Sequence, residues 1–88
     1  MISDRKATFV RSEGRDCVIG FEGDAPRLGD AQVLLDARGK LVGVDLGGGG
    51  LDRVAIMIGR HEDVARAEPA RVVLNGSTLR VLDGATLC

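Results

Sequence analysis

The stretch Val33-Leu34-Leu35-Asp36-Ala37-Arg38-Gly39-Lys40-Leu41-Val42-Gly43-Val44-Asp45-Leu46 constrains the fold more than any other part of the chain. Two apolar runs flank a turn signal. Asp suits the first position of a type I turn, and Gly suits the left-handed position that closes a three-residue hairpin loop. The spacing predicts strands over residues 31–36 and 40–46, with Lys40 opposite Asp36. Alternation puts Leu34, Val42, Val44 and Leu46 on one face, and Val33, Leu35 and Leu41 on the other. A strand pair apolar on both faces is normally covered on both. Val33, Leu35 and Leu41 are therefore read as an interface, covered by a second subunit, by barrel closure or by a short helix. A homodimer is the expectation.

Two more turn signals flank this hairpin. Glu13-Gly14, taken as a two-residue loop, joins strands over 7–12 and 15–21 and sets Arg11 opposite Asp16. Asn75-Gly76 lies in a third hairpin. Pairing Leu74 with Leu79 and Val72 with Val81 avoids the Arg71–Arg80 opposition that the tighter alternative creates. Between them, Val54, Ile56 and Ile58 alternate with Arg53, Ala55 and Met57, which reads as a strand. His61-Glu62-Asp63-Val64-Ala65-Arg66-Ala67-Glu68, stopped by Pro69, reads as a short helix. Its acids come early, and Glu62 and Arg66 form an i,i+4 pair.

The 88 residues suffice for one domain, 1–88, with residues 1–6 and 84–88 expected as mobile ends. Hydrophobic residues at 44% and charged residues at 28% argue against disorder. Aromatics at 2% leave no platform for base stacking, and a net charge of -1 leaves no footprint for a phosphate backbone, so no nucleic acid is expected. No apolar run approaches the roughly 20 residues of a membrane span, and no membrane partner is expected. The start, Met1-Ile2-Ser3-Asp4-Arg5-Lys6, has no apolar run behind it and is not read as a signal peptide. Cys17 and Cys88 form no metal-type pair and no disulfide framework. Free thiols in a bacterial cytoplasm are the expectation.

Several residues could carry chemistry. Gly47-Gly48-Gly49-Gly50 lacks the following helix and Lys of a phosphate loop, and reads as a flexible connection. His61, Glu62 and Asp63 are the only cluster with metal-ligand chemistry; His61 and Asp63 would share a face if extended, and a two-fold dimer would double them. In a helix the three diverge, and their order also fits a solvated helix start. Cys17, within a strand, packs as a small apolar residue. Most Asp residues sit beside glycines or turns. Asp45 differs: it lies inside a strand, and pairing with one of the arginines, which outnumber lysines ten to two, is the favoured reading.

Residues 33–46 resemble the hairpin of a short bacterial family of unknown function. That family has an apolar strand, Asp-x-x-Gly, then apolar-Val-Gly-Ile-Glu. Phe9-Val10 and Asp16-Cys17-Val18-Ile19 lie where its upstream Tyr-Asp hairpin would be, so the likeness covers about residues 7–46. The Tyr is absent, and Asp45 stands for the Glu. The same Asp-x-x-Gly-x-x-Val-Gly hairpin is similar to that of the PRC-barrel family, whose small β-barrels are assembly and interaction modules. Neither resemblance brings a catalytic residue with it.

The expected fold is all-β to α+β: a small antiparallel partial barrel or roll built from hairpins, with one short helix at 61–68. The expected function is a protein-interaction or self-assembly module, neither an enzyme nor a cofactor carrier. The alternative is a small-molecule or metal-binding protein using His61-Glu62-Asp63 near the Gly47–Gly50 loop.

Overall fold

The structure, a computed structural model, describes residues 2–23, 27–47 and 53–88. Eight strands form one curled sheet: β1 (Ile2–Glu13), β2 (Asp16–Phe21), β3 (Leu28–Leu35), β4 (Leu41–Gly47), β5 (Arg53–Met57), β6 (Arg66–Pro69), β7 (Val72–Asn75) and β8 (Thr78–Val81). Their order is β6-β3-β4-β5-β1-β2-β8-β7, and all neighbours are antiparallel except β1 with β5. The fold is a mostly β half-barrel.

Two stretches make the curl. Strand β1 is long enough to serve both halves: Ile2 to Lys6 pair with β5, and Ala7 to Glu13 pair with β2. The second stretch is more confining. Strands β6 and β7 lie at opposite ends of the sheet, yet only Ala70 and Arg71 separate them in sequence. Three Cα steps span about 10 Å, so the two ends of the sheet must come together there.

The central hairpin forms with Asp36 opposite Lys40: the Asp36 N–H donates to the Lys40 carbonyl at 2.9 Å. Its loop is held by the Asp36 carboxylate, which accepts the Arg38 and Lys40 N–H groups at 2.8 and 2.9 Å, and by Gly39 at φ +81°. The faces differ from strict alternation. Leu35 pairs with Leu41 but Leu34 with Gly43, so Val42 is an extra residue, a β-bulge. Past the bulge the face flips. Leu41, Val44 and Leu46 therefore join Val33 and Leu35 on the inner face, leaving Leu34 and Val42 outside.

The inner residues pack with Cys17, Ile19, Phe21, Ile56, Leu79 and Val81 as the main core. Val33, Leu35 and Leu41 are buried within the chain itself. The curled sheet covers them, so the cover seen is barrel closure, one of those expected. The outer pair is covered too. Leu34 and Val42 pack with Ala55 and Met57, and Val64 lies against them. The bulge holds this cover in place: the Val42 carbonyl accepts the N–H groups of Ile58 and Gly59 at 2.7 and 2.9 Å, and the Leu35 carbonyl accepts that of Ala65 at 2.7 Å.

The helix expected at 61–68 is replaced by a single 3-10 turn, His61–Asp63, followed by β6. A two-turn helix gains few hydrogen bonds over its nucleation cost. Pairing with β3 instead satisfies the backbone of Gln32 to Leu35 beside the core. Pro69 is tolerated because β6 is an end strand.

The third hairpin has the expected register, Leu74 with Leu79 and Val72 with Val81. In the first, the loop is Gly14-Arg15, and Glu13 pairs with Asp16. The reason is the turn: Gly14, at φ +61°, takes the first central position, where a two-residue loop with one left-handed residue needs glycine.

Cys17 and Cys88 are joined by a disulfide, with Cα atoms 5.9 Å apart. Both thiols had been expected free. The curl brings the 3-10 turn Ala85–Leu87 against β1 and β2, which sequence distance hid. No helix among the described residues is long and apolar enough to cross a membrane.

Candidate functional site

His61 opens the 3-10 turn, and its Nε2 lies 2.6 Å from Asp4 Oδ2 on β1, both side chains exposed. This contact ties the segment covering the outer face to β1, two residues before β1 passes from β5 to β2. Asp63 follows in the same turn, where the Val64 N–H returns to the His61 carbonyl at 3.1 Å. Among the described residues no three His, Cys, Asp or Glu side chains gather around a point that could hold a metal. The open cleft at His61 carries Asp4, Lys6, Arg60, Glu62 and Asp63, a mixture of both signs. Residues 48–50 of the glycine run lie outside the described residues.

Asp45 is half-buried opposite Gln32. Its Oδ1 accepts the Gly47 N–H at 2.8 Å, and Gly47 has φ +75°. The bond is a local turn device at the end of β4.

Arg80 and its partners were missed. On β8 it forks two acids, Nη1 to Asp16 Oδ2 and Nη2 to Glu13 Oε1, each at 2.9 Å. Asp16 Oδ1 also accepts the Asp83 N–H at 2.9 Å. The Asp83 bond first, then Arg80, holds the Asp16 carboxyl below its ordinary range, and Arg80 does the same for Glu13. The two acids in turn raise Arg80. With Glu13 directly opposite Asp16, the arrangement is a structural clamp on two like charges.

The two ends of the sheet differ in chemistry. Strand β6 reads Arg66-Ala67-Glu68-Pro69, with two charges and a proline, the usual blunting of an exposed edge. Strand β7 reads Val72-Val73-Leu74-Asn75, with neither. Asn75 and Thr78 close a two-residue loop, and the Leu82 N–H donates to the Arg71 carbonyl at 3.0 Å. In an antiparallel ladder the pairs alternate, so Arg71, Val73 and Asn75 turn their N–H and C=O groups toward β8. Val72 and Leu74 turn theirs outward. Among the described residues Val73 is the most exposed of the large apolar side chains, at 48%. At the start of β7 lies an open cleft of about 640 Å³, walled by Leu28 to Gln32 of β3 and by Pro69 to Val72.

No family model, curated protein or solved structure matches the chain.

Proposed function

We propose that the domain is a protein-interaction module that takes an extended segment of a partner protein along the free edge of β7. The observation that carries this reading is the contrast between the two sheet ends: β6 is blunted and β7 is not. Val72 and Leu74 offer two N–H and two C=O groups, the backbone half of β-strand addition. Leu28 in the cleft wall and Val73 on β7 are both exposed apolar side chains. The cleft has two walls, which favours a lone strand over the sheet-backed edge of a second copy. Both faces of the central hairpin, from which a homodimer is expected, are covered within one chain, so the reading rests on β7 instead. The likeness of that hairpin to assembly domains agrees with an interaction role.

The test is titration of isotope-labelled full chain with a pool of hexapeptides alternating apolar and polar residues. The expected result is amide shifts centred on Val72 and Leu74. Val72→Pro removes one outward donor while sparing the β8 ladder, and should weaken binding about tenfold. Shifts centred elsewhere would move the site, and concentration-dependent shifts without peptide would replace the reading by self-association. No response to any peptide would overturn it.

A further inference from the structure

The disulfide is asymmetric in its setting. Cys17 is 0% exposed, set in the core opposite Val81 on β8. Cys88 is exposed. The segment between Val81 and Cys88 is otherwise held lightly. Outside itself, and apart from the Leu82 N–H bond to Arg71, its backbone donates from Asp83 to Asp16 Oδ1, from Gly84 to the Val81 carbonyl at 3.2 Å and from Ala85 to the Arg15 carbonyl at 3.0 Å, and half-buried Leu87 packs against the core. Its 3-10 turn contains no buried residue. Asp83 sits at φ +59°, a left-handed conformation that L residues other than Asn and Asp rarely adopt. Leu87 from this turn, with Val33 and Val81, walls a cleft of about 610 Å³ that adjoins the cleft at the start of β7 along Pro69 to Arg71 and Leu82.

We propose that residues 82–88 are a redox-released strap. The Cys17–Cys88 bond closes it over one end of the half-barrel, and reduction opens it while the sheet stays folded. This is independent of the β7 edge reading. A dithiol reductant attacks Sγ of Cys88, the exposed partner of the bond, and Cys17 leaves as a thiolate and takes a proton. The reductant's second thiol then attacks its own sulfur in the mixed disulfide, releasing the Cys88 thiolate. Two electrons pass to the protein and the reductant leaves as a disulfide. Release frees Leu87 and widens the cleft over Val33 and Val81.

The experiment is amide hydrogen exchange on the full chain before and after treatment with dithiothreitol. Exchange at residues 83–88 should rise to near the unprotected rate, while Ile19, Val44 and Leu79, though faster by the general loss of stability, should stay clearly protected. Brief alkylation of the reduced chain should label Cys88 roughly tenfold faster than Cys17. The variant Cys88→Ser should show the open-strap exchange pattern with or without reductant. Loss of protection throughout the sheet, down to the unprotected rate, would show that the bond holds up the whole fold, and would overturn the strap. Unchanged protection at 83–88 would overturn it equally.

Discussion

Glu13 and Asp16 face each other across the first hairpin, and the guanidinium of Arg80 reaches both from the neighbouring strand. Because both carboxyls are held below their ordinary values, the folded state takes up their protons at lower pH than the unfolded chain does. The stabilisation is therefore complete above about pH 5 and drains as pH falls through about 4 toward the depressed values. Arg80→Met should lower stability at pH 7, and its deficit against the parent should shrink as the medium is acidified. Denaturant midpoints measured from pH 7 to 3 check this; a deficit constant with pH would contradict it. The clamp was not legible in the sequence. Charge pairing of Arg11 with Asp16 suggested the loop Glu13-Gly14, whereas the left-handed requirement at Gly14 decides for Gly14-Arg15. Only the latter register brings Glu13 and Asp16 together under Arg80.

At the scale of elements, local turn chemistry was legible and long-range cover was not. The loop at Asp36 to Lys40 and the register at Leu74–Leu79 follow from side chains within a few residues of each other. The bulge at Val42 does not, because it depends on the Val42 carbonyl receiving Ile58 and Gly59 from a distant segment. That segment also explains the failed helix, since Val64 is needed over Leu34 and Val42. The two covers should differ in worth. Ile56→Ala, in the fully buried inner core, should cost about 2–5 kcal/mol. Val64→Ala, in the half-buried outer cover, should cost about 1 kcal/mol or less. Urea unfolding of the two variants provides the comparison, and equal losses would mean the outer face depends on its cover as heavily as the core does.

For the molecule as a whole, the decisive links join residues far apart in sequence. The parallel pairing of β1 with β5 and the Cys17–Cys88 bond leave no local pattern to read. The bond spans a sequence separation of 71 residues, so by loss of chain entropy its reduction should cost about 4 kcal/mol. A domain of this size is worth on the order of 5–10 kcal/mol, so the reduced chain should remain folded at 25 °C. Chemical denaturation with and without reductant measures the difference. The central claim is that the half-barrel covers its own core as a single chain and leaves β7 open. Amide hydrogen exchange along β7 in dilute, oxidised protein tests it most directly. Val73 and Asn75, bonded to β8, should be protected, while Val72 and Leu74 should exchange close to the unprotected rate. Equal protection of all four amides would mean that the edge is already paired, and would contradict the account.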